Sequence, residues 1–120
     1  MSEQSTGHEE LIDWSAALDA AGGDEALLLD LVGVFLDEAT TLMADIRRSI
    51  DQRDAVLLRR SAHTLKGSLR IFQSAVASGL AFQLEEMGKD SAFDDAPRVL
   101  ADLKPQMDLV LGAMKARLGQ

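Results

Sequence analysis

The stretch DAVLLRRSAHTLKGSLRIF, residues 54–72, decides the fold. Its apolar residues recur in steps of four, three, four and three, at Leu58, Ala62, Leu65, Leu69 and Phe72. Such steps place side chains on one face of an α-helix. Asp54 is a residue type that commonly caps a helix N-terminus. The stretch therefore predicts a helix that starts after Asp54, ends near Phe72 and buries one face in a core.

A second stripe of the same predicted helix is polar and basic. It consists of Arg59, His63, Lys66, Gly67 and Arg70. Because each residue advances by about 100° around a helix, this stripe lies beside the apolar face rather than within it. Residues 54–72 hold four cations and one anion, whereas the whole chain has a net charge of −8. The concentrated basic patch of an acidic protein thus surrounds one of its two histidines.

The composition of the 120-residue chain favours an all-α domain. Hydrophobic residues make up 47% of it and are mostly helix formers, and there are two prolines. The absence of cysteine excludes disulfides and thiolate metal sites and permits a reducing compartment. The acidity disfavours general binding to nucleic acid or to anionic membranes. No apolar run approaches the roughly 20 residues that span a bilayer, so we expect no membrane segment.

Helical spacing recurs along the rest of the chain. We expect helical segments over residues 11–20, 25–37, 39–51, 75–87 and 97–118. The pattern leaves open whether the second and third segments form two helices or one bent helix. Short connections favour antiparallel neighbours. We therefore predict an antiparallel four-helix bundle with one or two short N-terminal helices packed at one end. It would span residues 11–120, after a flexible tail at residues 1–10.

Single residues refine the predicted helix limits and faces. The segment at residues 75–87 is expected to turn its large apolar residues inward: Val76, Leu80, Leu84 and Met87. Gly88 follows, and glycine often ends a helix. Asp24 is expected to cap the helix after it. Pro105 predicts a kink or a split of the last segment near Lys104.

Three interpretations of His63 compete. The simplest makes it a boundary residue beside cations. As a metal ligand it lacks a second ligand nearby, since the neighbouring helical positions hold Arg59, Arg60, Lys66 and Gly67. As a nucleophile, its neutral imidazole suits an anionic electrophile, and Lys66 offsets charge on a transferring phosphoryl group. Gly67 costs a helix about 1 kcal/mol relative to alanine, but its missing Cβ leaves room for another molecule.

Three stretches of the chain resemble parts of one known family. AHTLKGS, residues 62–68, is similar to the phosphorylation motif of histidine phosphotransfer (Hpt) domains, which is His, two residues, Lys and Gly. GGDEALLLDLVGVFLDEA, residues 22–39, resembles the family's helix before the bundle, and LAFQLEEMG, residues 80–88, its helix facing the histidine. The resemblance covers residues 11–118. It implies a phosphorelay intermediate that accepts a phosphoryl group from a receiver-domain aspartyl phosphate and passes it to another receiver.

The resemblance also implies roles for single residues. His63 would be the phosphoacceptor, and Lys66 would steady the phosphoryl oxygens. Gly67 would give clearance to the receiver domain. Glu85 occupies the position whose side chain often hydrogen-bonds the histidine ring and fixes which nitrogen attacks. The family usually has glycine where this chain has Gln73, which leaves open how the following turn and the choice of partner respond.

The same resemblance implies the partners. Response-regulator receiver domains are expected to bind at the histidine, with a hybrid histidine kinase as a further partner. Arg59 and Arg70 flank His63 and are expected to contact the partner. The receiver would supply Mg²⁺, and this chain would bind no metal or cofactor of its own. A monomer in the cytoplasm is expected.

Two other function classes compare unequally with the carrier. An ATP-using enzyme is disfavoured, because Gln83 stands five residues before Gly88 and Lys89, where a P-loop needs glycine. The second candidate is a helical adaptor that binds receiver domains or other signalling partners without being phosphorylated. Replacing His63 by glutamine distinguishes the two, because a carrier loses its label and an adaptor keeps its binding.

Overall fold

The computed structural model describes residues 11–119, and in this range it contains five helices and no strand. The helices are α1 (Trp14–Ala20), α2 (Glu25–Gln52), α3 (Ala55–Ile71), α4 (Ala75–Lys89) and α5 (Ala96–Arg117). The predicted tail at residues 1–10 lies outside the described residues. The four long helices pack in a ring, in which α3 contacts α2 and α4, and α5 contacts α4 and α2. The predicted all-α bundle is confirmed.

Aspartates begin the helices as the sequence predicts. Asp24 and Asp54 each accept a hydrogen bond from the backbone N–H three residues later, at 3.1 Å. Asp13 does the same for α1, at 3.0 Å. Each bond satisfies one of the N–H groups that a helix start leaves without a partner. The two predicted caps are therefore confirmed.

The short helix α1 packs at one end of the bundle, next to the end of α3. The Trp14 ring meets the Phe72 ring edge to face, with centroids 6.1 Å apart. The backbone N–H of Asp13 donates to the carbonyl of Phe72 at 2.9 Å. The Arg117 guanidinium lies 4.9 Å from the centre of the Trp14 ring, so α5 also holds α1 in place.

The long helix α2 settles the question that the sequence left open. Residues 25–52 form one continuous helix of 28 residues rather than two. Its core face includes Leu28, Val32 and Phe35 in the first half and Ile46 and Ile50 in the second. Ala39 is fully buried between these halves, so the inward face continues through the polar stretch around it.

The predicted core face of α3 is confirmed. The five residues of the apolar stripe are all buried, with at most 1% of their surface exposed: Leu58, Ala62, Leu65, Leu69 and Phe72. The basic stripe of α3 therefore faces away from the core centre, as the spacing requires.

The predicted inward face of α4 is confirmed only in part, since Leu84 is fully buried and Leu80 and Met87 pack against the core while partly exposed. Val76 is 48% exposed, and the buried residues of this helix are Ala77, Ala81, Leu84 and Gly88. Small side chains on that face let α4 approach α3 closely, since side-chain size sets the distance between helix axes. Nor does Gly88 end the helix, which continues to Lys89. An ideal Cβ on Gly88 would lie 2.5 Å from the backbone nitrogen of Arg59 and 3.0 Å from the carbonyl oxygen of Ala55.

Gly88→Ala is expected to destabilise the protein by about 1–3 kcal/mol, because the added methyl group collides with the α3 backbone. Alanine in a helix interior is ordinarily better than glycine by up to about 1 kcal/mol. Gly79 on the same helix is the matched control, since a Cβ there meets nothing within 4 Å. Gly79→Ala should therefore raise the free energy of unfolding measured in urea. Equal effects of the two substitutions would contradict the close α3–α4 contact.

Pro105 lies inside α5, which runs without a break from Ala96 to Arg117. Of the predicted kink or split near Lys104, the split is wrong and the kink stays a prediction. Proline removes the hydrogen bond to the carbonyl of Ala101, four residues earlier. Pro105 and Ala101 are both exposed, so water can satisfy this carbonyl without ending the helix.

The turn between α3 and α4 shows what Gln73 does in place of the family's usual glycine. Its φ of 56° lies in the left-handed region that favours glycine. The backbone N–H of Ser74 donates to the carbonyl of Leu69, and that of Gln73 to the carbonyl of Arg70, both at 3.1 Å. These two bonds form a Schellman motif, the usual setting for a left-handed residue after a helix. Gln73 therefore adopts the conformation that glycine would supply.

Gln73→Gly is expected to stabilise the protein by about 0.5–1 kcal/mol, because it removes the steric cost of a left-handed non-glycine residue. Ser74→Gly is the control in the same turn, since Ser74 has a φ of −86° and gains nothing from glycine. Thermal unfolding of both variants checks the sign. A midpoint for Gln73→Gly at or below that of the parent protein would contradict the strain.

Candidate functional site

His63 lies on the outer face of α3, where its side chain is 66% exposed. The residues under it on the same helix, Ala62 and Leu65, are fully buried. The backbone at the site is therefore fixed by the core while the ring itself meets solvent. This arrangement gives another molecule direct access to the imidazole.

Glu85 on α4 joins the two central residues of the basic stripe. Its Oε2 lies 2.9 Å from Nδ1 of His63, and its Oε1 lies 2.7 Å from Nζ of Lys66. The lysine contact is an ion pair, and Oε1 has no other polar partner among the described residues. One carboxylate thus holds the imidazole and the ammonium next to each other.

The ionisation of Glu85 fixes the tautomer of His63. Burial alone would raise the pKa of this carboxyl group, but hydrogen bonds and the nearby charges of Lys66 and His63 together lower it. Glu85 is therefore ionised at neutral pH, and a carboxylate only accepts hydrogen bonds. Nδ1 of His63 must carry the proton that it donates to Glu85. The lone pair of the neutral ring then lies on Nε2, the nitrogen without that bond.

Lys66 is less exposed than its position beside the apolar face suggests. Only 11% of its side chain is exposed. Besides Glu85 it meets an aromatic residue, since Nζ lies 5.1 Å from the centre of the Phe82 ring. The sequence analysis did not single out Phe82, and no spacing rule within one helix connects it to Lys66.

Gly67 is exposed, one turn along α3 from His63. A Cβ built on it would meet nothing within 4 Å. Packing inside the protein therefore does not explain this glycine, in contrast to Gly88. The missing side chain leaves open space next to the imidazole.

Arg59 and Arg70 are exposed on the same stripe as His63. Arg59 lies one turn before the histidine, and Arg70 lies two turns after it, beside the α3–α4 turn. Among residues 11–119, neither guanidinium forms an ion pair with a carboxylate. Both charges face solvent next to the His63–Glu85–Lys66 cluster, but neither belongs to it.

Other kinds of site receive little support from the described part of the chain. No group of three or more His, Cys, Asp or Glu side chains there is placed to hold a metal ion. An open groove of about 650 Å³ lies between α2 and α5, lined in part by Leu36, Leu111 and Lys115, and does not include His63. Within residues 11–119 no helix has the length and apolar composition that crossing a bilayer requires.

Comparisons with known proteins agree with one family. A family model for the Hpt domain matches residues 30–117. Histidine-containing phosphotransfer protein B from Pseudomonas aeruginosa PAO1 has a TM-score of 0.81 at 19% identity, covering 88% of this chain and 92% of that chain. The Hpt domain of a sensor hybrid histidine kinase from Shewanella also has a TM-score of 0.81, at 20% identity, covering 92% and 96%. These two structures show a shared fold. No curated protein matches the chain.

Proposed function

This chain belongs to the Hpt domain family of phosphorelay intermediates, and we propose that His63 is the residue that carries its phosphoryl group. The observation behind this proposal is the hydrogen bond between Nδ1 of His63 and Glu85 at 2.9 Å. It leaves Nε2 with the lone pair, on a ring that is largely exposed. Glu85 acts as a positioning residue, because it sets the tautomer and the orientation of the nucleophile.

The transfer is a displacement at phosphorus. Nε2 of His63 attacks the aspartyl phosphate of a receiver domain, a P–N bond forms, and the P–O bond to the aspartate breaks. The aspartate leaves as a carboxylate, and the Nδ1 proton stays on the ring beside Glu85. Attack by an aspartate of a second receiver reverses the step and returns His63 to its neutral form. The receiver supplies Mg²⁺, and Lys66 offsets charge on the phosphoryl oxygens.

The surroundings of His63 suit a macromolecular partner. Gly67 leaves one flank of the ring open for the backbone of a receiver domain. Arg59 and Arg70 present positive charge on the same face, which favours an acidic partner surface. A receiver bound there would cover both cations, so their removal should weaken binding more than it slows transfer within the complex.

The proposal also covers how the protein acts, its partners and its location. The protein acts as a stoichiometric carrier without an ATP site, and a hybrid histidine kinase is a candidate partner beside the receivers. We also propose a monomer that works in the cytoplasm, where the absence of cysteine is compatible with a reducing environment. The competing proposal is an adaptor that binds receiver domains without accepting phosphate.

Transfer from a panel of phosphorylated receiver domains tests the carrier against the adaptor. Incubation with a cognate receiver should move label to this chain, up to one phosphoryl group per molecule. The label should be stable in base and labile in acid, as expected for a phosphoramidate rather than an acyl phosphate or a phosphoserine. Stable binding to a receiver with no transferred label would support the adaptor instead.

A further inference from the structure

Phe82 is a large apolar residue exposed next to the site. It lies on α4, one turn before Glu85, and is 44% exposed. Its ring centre is 5.1 Å from Nζ of Lys66, within the range of a cation–π interaction. The ring therefore has a polar partner despite its exposure, and that partner is the ammonium nearest to His63.

Two unlike groups hold the Lys66 ammonium. Glu85 contacts it at 2.7 Å and Phe82 faces it with an aromatic ring. A lysine side chain carries about 2 kcal/mol of rotamer entropy, so one contact at its tip seldom fixes it. Here the side chain is also largely buried, and both contacts come from α4. The ammonium is thus positioned before any partner arrives.

The two contacts have different consequences for a phosphoryl group. The Glu85 carboxylate neutralises the ammonium that it holds, and it also holds His63. An aromatic ring attracts a cation through its quadrupole and adds no net charge. The Lys66 ammonium can therefore move from Glu85 towards the phosphoryl oxygens and keep its contact with Phe82.

We propose that Phe82 is a positioning residue for phosphoryl transfer, whose ring holds the Lys66 ammonium beside His63 without neutralising it. This inference rests on the proposed function. It explains why an exposed aromatic side chain stands at this position of α4. It also predicts that the ring matters through Lys66, and not as an apolar contact for the partner.

Substitutions that keep or remove the ring separate these two roles. Phe82→Leu keeps an apolar side chain but loses the quadrupole. We expect single-turnover transfer at saturating phosphorylated receiver to slow about two- to fivefold, and Phe82→Tyr to restore it. The receiver concentration at half-maximal rate should stay unchanged. In a Lys66→Ala background, Phe82→Leu should have no further effect.

A measurement without phosphate distinguishes failure of this inference from failure of the proposed function. In NMR spectra of the unphosphorylated chain, the Lys66 side-chain protons should show ring-current shifts that disappear in Phe82→Leu and persist in Phe82→Tyr. If the parent protein accepts no phosphate, these spectra still decide whether Phe82 holds Lys66. Unchanged Lys66 signals in Phe82→Leu, an unchanged transfer rate, or an equal slowing without Lys66 would overturn the inference.

Discussion

Replacement of His63 by glutamine is expected to abolish phosphoryl transfer to this chain from every phosphorylated receiver. Glutamine has a comparable size and retains a group that can donate to Glu85, but its amide nitrogen is not a nucleophile. The His63 side chain is largely exposed, so we expect the free energy of unfolding to change by about 0.5 kcal/mol or less. Loss of label in a stably folded variant then reports the loss of the nucleophile alone.

His8 provides the matched control, because the chain has two histidines. His8→Gln should accept label at the same rate and to the same extent as the parent protein. Label that persists in His63→Gln and disappears in His8→Gln would show that His8, and not His63, carries the phosphoryl group. Receiver binding to His63→Gln, measured in parallel, should persist, so that the lost label reports the loss of the imidazole and not a loss of docking.

The fold was predictable where helical spacing alone decides the buried face. Leu58, Leu65 and Leu69 identify the core side of α3 because each is large, apolar and in register. On α4 the same rule found Leu84 but selected the exposed Val76 instead of the buried Ala77. The rule assumes that large apolar side chains face inward, whereas three of the four buried residues of this closely approaching helix are small. The distance between helix axes depends on tertiary packing, and the spacing of residues within one helix does not reveal it.

The site shows the same division between local and tertiary information. His63, Lys66 and Gly67 share one helix, so their spacing brings them together in any α-helical model of this stretch. Glu85 lies 22 residues from His63 in the chain, and it entered the prediction only through resemblance to a family. Phe82 was not identified at all. Both contacts depend on the rotation of α4 relative to α3, which spacing within α4 predicted only in part.

Replacement of Glu85 by glutamine is expected to slow phosphoryl transfer about tenfold or more, with His63 still in place. The neutral amide can either accept from Nδ1–H of His63 or donate to Nδ1, so it no longer enforces the tautomer that leaves the lone pair on Nε2. It also leaves the poorly exposed Lys66 ammonium without its counter-charge. Both changes act on the nucleophile and its surroundings, so the rate at saturating receiver should fall more than receiver affinity.

Two variants isolate the tautomer effect from the loss of the ion pair. Glu86→Gln removes the same charge at the adjacent position of α4, where the described residues show no ion pair, and should leave transfer unaffected. Lys66→Met in the Glu85→Gln background removes the uncompensated ammonium and should recover stability. Transfer in this double variant should be slower than in Lys66→Met alone, because the single variant loses the charge of Lys66 but keeps the carboxylate that sets the tautomer of His63. Equal rates in these two variants would mean that Glu85 serves only to compensate Lys66.

The pH dependence of stability tests the ionised form of Glu85 directly. Its pKa is lowered from the ordinary value of 4.5, so its contribution to stability is complete above that value and is lost as the pH falls through the lowered pKa. At pH 7, Glu85→Gln should reduce the free energy of unfolding by about 1–3 kcal/mol. This difference from the parent protein should shrink in urea titrations below pH 4.5, because the protonated carboxyl group no longer balances Lys66. A difference that stays constant across that range would show that Glu85 acts without its charge, and the tautomer assignment of His63 would lose its basis.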